Sequence, residues 1–211
     1  MFNRLKRAKT TTGAPSKTAK SETYESLQRD PSQKIFDDRP EPDADFPPVA
    51  LLYEGFGHFL DIMDCRRDVP GLTDIDIMGL HKEVDGFASQ MNKFYKDEDA
   101  RREVGLPCLA RIFSARRGTQ IPPLQASSIG SARADGHTTG PRGAGVFCAV
   151  FKNKITGISA IPQVELTCHV ARLNAAGMDD IRELYLRWRV PCLGLTIVGE
   201  LGISAFCYMK I

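Results

Sequence analysis

Residues 134 to 154 read ADGHTTGPRGAGVFCAVFKNK, and this stretch decides the fold. Asp135-Gly136 opens it, a turn rich in Gly and Pro follows, and the apolar Val146, Phe147, Val150 and Phe151 lead into Lys152-Asn153-Lys154. An apolar run of that length, bounded by turn residues and closed by polar ones, reads as a buried strand. The turn before it makes a strand pair, with an acidic residue at the end of one strand and a lysine at the end of the next. An acid and an ammonium so placed can meet at a metal-activated water. Where a second carboxylate would complete such a site, the chain carries Val150.

Outward from this stretch, the C-terminal side alternates helix and strand. Pro162 suits the first turn of a helix whose Val164, Leu166, Val170 and Leu173 form its apolar surface. A second helix is expected over Asp179 to Trp188, followed by two strands, CLGLTIVG and ISAFCYMKI, joined at Gly199 to Gly202. On the N-terminal side, Leu52, Phe56, Phe59, Leu60 and Met63 recur at helical steps. Ile77, Leu80, Val84, Phe87, Met91 and Phe94 form the clearest apolar stripe, predicting a helix from Asp74 to Lys96 capped by Thr73 or Asp74. A third helix from Asp97 to Phe113 is expected to be interrupted at Gly105 and Pro107, its charges DEDARRE forming a solvated first turn. The expected fold class is α/β, with N-terminal helices over 48–117, then a mixed central sheet flanked by helices over 118–211.

Composition sets the outer bounds. The chain has 211 residues, 42% apolar and 26% charged, which suits one folded unit plus a tail. No apolar run approaches the roughly 18 residues of a membrane span, and the start lacks the apolar core of a secretory signal. The expectation is an intracellular protein, cytoplasmic or nuclear, with no membrane partner. Six cysteines are spaced widely with no CxxC pair, so reduced, buried thiols are expected rather than a zinc site or disulfide framework. The net charge of +2 hides an opposition between basic residues in 1–20 and acidic residues in 37–45. With repeated prolines and no apolar periodicity, residues 1–47 read as a disordered tail. His58, His81, His137 and His169 are scattered, and no GxGxxG, P-loop or GxSxG motif occurs. Trp188, flanked by Arg187 and Arg189, reads as a helix anchor before a base-stacking residue.

The stretch from Ala134 to Phe206 resembles the PD-(D/E)XK nuclease-like domain of uncharacterised fungal proteins, which often precedes a protein-kinase-like domain. The resemblance rests on Asp135-Gly136, on Lys152-Asn153 after the second strand, and on Gln163 in the following helix. The segment with Gly55-Phe56-Gly57 also resembles a helix that precedes that core. It implies a restriction-endonuclease-like fold, nucleic acid as a partner, a kinase-like protein partner, and a Mg²⁺-dependent site built on Asp135, Lys152 and Gln163. Two positions depart from the pattern: the strand glutamate is Val150, and the acid after the asparagine is Lys154.

Phosphodiester hydrolysis needs an activated water and relief of phosphate charge, and Mg²⁺ held by carboxylates does both. A lysine beside it orients the water or stabilises developing charge. With Val150 offering no oxygen, three readings stand. The first is a degenerate module that binds nucleic acid through Arg133, Arg142, Lys152 and Lys154 or serves regulation. The second is an active nuclease in which Glu165, two residues after Gln163, replaces the missing ligand and joins Asp135 at the metal; Glu83 is a second donor candidate. The third is a truncated product without function. The degenerate reading is favoured on sequence alone. Asp135-Gly136 is also a common turn dipeptide, and lone glutamates are ordinarily solvated.

Overall fold

The computed structural model describes residues 13–30, 61, 73–114, 124–129, 132–140, 145–153, 161–176, 191–199 and 202–209. The expectations for Leu52 to Met63 (Asp61 apart), Asp179 to Trp188, Arg142 and Lys154 lie outside them. The architecture is mixed α/β. Helices α1 (Pro15–Thr18), α2 (Ser21–Arg29), α3 (Asp74–Met91) and α4 (Glu98–Ser114) precede strands β1 (Ser128–Ile129), β2 (Ala132–Arg133), β3 (Gly136–Thr139) and β4 (Gly145–Lys152). Helix α5 (Pro162–Ala176) and the hairpin β5 (Pro191–Val198) and β6 (Gly202–Met209) complete it.

Four strands form one sheet in the order β3-β4-β5-β6. β3 and β4 pair antiparallel, β4 and β5 parallel, and β5 and β6 antiparallel. The parallel pair needs a crossover, and α5 lies between β4 and β5 in the chain, as such a connection requires. Strand alternation divides the core into two layers. Phe147, Ala149, Phe151 and Ile197 pack against Phe87, Met91, Cys108 and Leu109 of α3 and α4. Cys148, Val150 and Cys192 face the other way, onto Leu166 and Val170 of α5. Burying side chains such as Phe151, Leu166 and Ile197 stabilises the fold by roughly 1.5–3 kcal/mol each.

Several expectations are corrected here. The helix over residues 74–91 starts with a capping box, the Thr73 hydroxyl accepting from the Asp76 amide while the Asp76 carboxylate accepts from the Thr73 amide. It ends at Met91, not Lys96, and its apolar stripe is core only near that end: Phe87 and Met91 are buried, whereas Val84 and Phe94 are exposed. α4 runs unbroken through Gly105 and Pro107. At Gly105 the Phe151 ring presses on the helix so closely that a Cβ would strike it, with the Met91 sulfur in tight contact beside it. The expected solvated first turn of α4 instead buries Arg101 and Arg102.

Part of the expected disordered tail is helical. α1 and α2 lie on α5, with Ala19 buried against Val164 and Cys168, and Tyr24, Leu27 and Ile161 packed around them. The Ile161 amide donates to the Ala19 carbonyl at 2.8 Å, and Arg172 donates to the Gly13 carbonyl at 2.7 Å. Few apolar residues suffice because α5 supplies the complementary surface.

Candidate functional site

β4 ends at Lys152 and β5 at Val198, while β3 starts just after Asp135, so these residues share one end of the sheet. In an open sheet with parallel strands, the carboxyl ends are where a crevice forms. Gly136 pairs with Ala149, so Asp135 stands one step further, beside Val150. Cys148, Val150 and Lys152 alternate onto the α5 face. Glu165, in the first turn of α5, therefore starts beside the end of β4 and points back at Lys152, with Nζ to Oε2 at 2.9 Å.

The first turn of α4 closes the cluster. Lys152 Nζ donates to Glu98 Oε2 at 3.0 Å. Arg102 Nη1 lies 2.6 Å from Asp99 Oδ1 and 3.5 Å from Asp135 Oδ1. The other Asp135 oxygen, Oδ2, accepts from the Phe151 amide at 2.9 Å. His169, one turn beyond Glu165, places Nε2 3.9 Å from Glu165 Oε1, beyond hydrogen-bond length. The Lys152 contact to Glu165 is a short ion pair between two buried side chains.

The ionisation of each group follows from these neighbours. Burial raises the Asp135 carboxyl above its ordinary value, against the Phe151 amide and the Lys152 and Arg102 charges; the nearby Glu165 charge pushes the same way as burial. Burial also opposes the charged form of Glu165, but the His169 imidazole and the Lys152 ammonium outweigh it and hold the carboxyl below its ordinary value. Burial opposes the Lys152 ammonium as well, and the Glu165 and Glu98 carboxylates reverse that and raise it. Lys152 is thus an ammonium at neutral pH.

Lys152 and Glu165 pair directly, and Asp135, at the same end of the sheet, lies near enough to feel both charges. Gln163 is on the same helix, but two residues before Glu165, so the helical period turns its side chain roughly 200° away. Arg133 is exposed on β2. Glu83 does not join the site. Its carboxylate is bound by Arg111 Nε at 3.0 Å, and Arg111 stands nine residues, about 13 Å, along α4 from Arg102. Glu98, Asp99, Arg102 and His169 are site neighbours that the sequence reading missed. The i,i+3 spacing of Asp99 and Arg102 and the i,i+4 spacing of Glu165 and His169 were the signals present.

Counting the paired groups, four carboxylates (Glu98, Asp99, Asp135 and Glu165) face two cations, Lys152 and Arg102, an excess of two negative charges. The donors that converge are oxygens, which suit a hard divalent cation. Among the described residues, no three His, Cys, Asp or Glu side chains are grouped to hold a metal on their own. Two carboxylates would need backbone oxygens and waters to complete a shell. Elsewhere, the cysteines at 108, 148, 168 and 192 are buried thiols, with burial pushing Cys168 up to about 12.

The raised Asp135 value carries a stability consequence. A carboxyl whose folded value exceeds its unfolded one contributes stability at pH below the unfolded value and loses it as pH rises through the folded value. Ionised Asp135 therefore costs stability at neutral pH. Asp135→Asn is expected to leave the thermal midpoint at pH 7 unchanged or raised, read by calorimetry with and without Mg²⁺. A fall of several degrees without metal would contradict this.

Compared with protein-family models, curated proteins and solved structures, the chain matches none. Among the described residues, no helix is long and apolar enough to cross a membrane.

Proposed function

We propose that this chain carries a PD-(D/E)XK-like, Mg²⁺-dependent site for phosphodiester hydrolysis on a restriction-endonuclease-like core, with Glu165 on the helix serving in place of the strand carboxylate lost at Val150. The observation that supports it best is the Lys152–Glu165 pair at the sheet end that Asp135 shares, in a cluster whose four carboxylates exceed its cations Lys152 and Arg102 by two charges. Asp135, through Oδ1, and Glu165 would hold the cation. When bound, Mg²⁺ lowers the pKa of a coordinated water and neutralises phosphate charge.

The chain's own residues supply the rest. The Phe151 amide fixes the Asp135 carboxylate, so little reorganisation is needed for it to act as a ligand. Lys152, held as an ammonium, stabilises negative charge developing on the phosphate rather than accepting a proton. A net negative cluster repels a phosphate by itself, so substrate binding is expected to require the divalent cation. Arg133, exposed on β2, together with Arg142 and Lys154, is proposed to meet the nucleic-acid backbone.

A second reading, the degenerate module used for binding or regulation, is favoured by a different observation. Lys152 and Arg102 already pair with Glu165, Glu98 and Asp135 from within, and Val150 is fully buried among Leu166, Val170 and Cys192. Incubation with supercoiled plasmid, single-stranded DNA and RNA in Mg²⁺ or Mn²⁺ separates the two. The hydrolytic reading predicts cleavage that disappears with EDTA and falls at least 100-fold in Asp135→Ala. Nucleic-acid binding without cleavage in either metal would leave the degenerate module.

A further inference from the structure

The Lys152 ammonium has two carboxylate partners at nearly equal range, Glu165 Oε2 at 2.9 Å and Glu98 Oε2 at 3.0 Å. They are not equivalent. The Glu165 side chain is 8% exposed and held on a buried helix face, whereas Glu98 is 48% exposed and accepts a hydrogen bond from the ammonium at the rim of the site. An ammonium and a divalent cation on the same carboxylate repel one another at short range. A divalent cation taken up at Glu165 Oε2, the oxygen that Lys152 contacts, would therefore displace the ammonium toward another acceptor.

We infer that Glu98 is a positioning residue that takes over the Lys152 ammonium when Glu165 turns to a divalent cation. The inference rests on the proposed metal-dependent reading and names the residue that lets the internal ion pair open. Glu98 is anchored for that role. The Asp97 carboxylate caps the first turn of α4, accepting from the Ala100 amide at 2.7 Å. Arg101, three residues after Glu98, donates from Nε to Asn153 Oδ1 at 2.8 Å, tying that turn to the residue after Lys152. The terminal torsions of Lys152 need only shift it between two oxygens it already touches.

Glu98→Gln, with Mg²⁺ affinity read by calorimetry and the Lys152 Nζ signal read by amine-selective nitrogen NMR, tests this. In the unsubstituted protein, Mg²⁺ leaves the ammonium paired with Glu98 and slow to exchange its protons with water. In Glu98→Gln, Mg²⁺ affinity falls about tenfold, a coupling typical of contacting charges, and the metal exposes Lys152 to fast exchange. Weakened affinity with Lys152 still protected would mean that Glu98 acts only through its field, and would overturn the inference while leaving the metal site standing. Unchanged affinity would overturn it too. No Mg²⁺ binding by the unsubstituted protein would overturn both the inference and the reading beneath it.

Discussion

Arg101→Ala is expected to destabilise the fold by about 3–4 kcal/mol. Arg101 is 2% exposed. Its guanidinium donates to the Met91 carbonyl, to the Lys93 carbonyl at 3.1 Å and to Asn153 Oδ1 at 2.8 Å, and it lies 4.7 Å from the Tyr95 ring centroid. The Asn153 amide donates onward to the Tyr95 carbonyl at 3.1 Å. One side chain therefore satisfies the C-terminal end of α3, the turn into α4 and the end of β4. Removing it strands one buried and two partly buried acceptors, where a hydrogen bond to a charged group is worth roughly 1.5–3 kcal/mol when buried and less where water can replace it. Arg101→Lys keeps the charge but not the fork, so it is expected to recover less than half the loss. Gly199 packs so closely against the guanidinium that any side chain there would collide with it. Urea titration of both variants checks this; a loss below 1 kcal/mol in Arg101→Ala would contradict it.

Lys152→Met is expected to cost about 3 kcal/mol at pH 7, because it leaves Glu165 charged, buried and without its ammonium. The pH dependence fixes the cause. In the unsubstituted protein Glu165 is depressed below 4.5, so its contribution is present above that value and is lost as pH falls through the folded value. Lys152 is raised above 10.5, so its contribution is complete below that value and is lost as pH rises through the folded value. The pair stabilises the fold across the window between. Without the lysine, only His169 opposes the effect of burial on Glu165, so its carboxyl moves up from the depressed value and the variant loses less stability than the unsubstituted protein as the solution is acidified. The difference between the two proteins is expected to be largest near neutrality and to shrink toward pH 4. A difference independent of pH would mean that the loss is one of packing.

What could be read in the sequence is what local pattern encodes. The Val146 to Phe151 run gave β4, Pro162 with Val164, Leu166, Val170 and Leu173 gave α5, and the two apolar runs around Gly199 and Gly202 gave the terminal hairpin. Glu165 could be anticipated at the site because a helix leaving a strand end starts beside it. Other features depend on residues far apart in the chain. Lys152 and Glu98 are 54 residues apart, and nothing local distinguishes Glu98 from the other acids of DEDARRE. Arg101 and Arg102 read as solvated because their acceptors, Met91, Lys93, Asn153 and Asp135, lie in other elements. α1 and α2 were missed because their hold on α5 uses Ala19, Tyr24 and Leu27, too few apolar residues to show a period. Glu83 was offered as a ligand on charge alone, and Arg111 engages it elsewhere.

The central claim is that Asp135 and Glu165 share one divalent cation. Electron paramagnetic resonance titration with Mn²⁺ tests it without relying on turnover. The account predicts one bound ion per chain, competed by Mg²⁺, with affinity falling at least tenfold in each of Asp135→Asn and Glu165→Gln. Binding that survives both substitutions, or no binding by the unsubstituted protein, would contradict it.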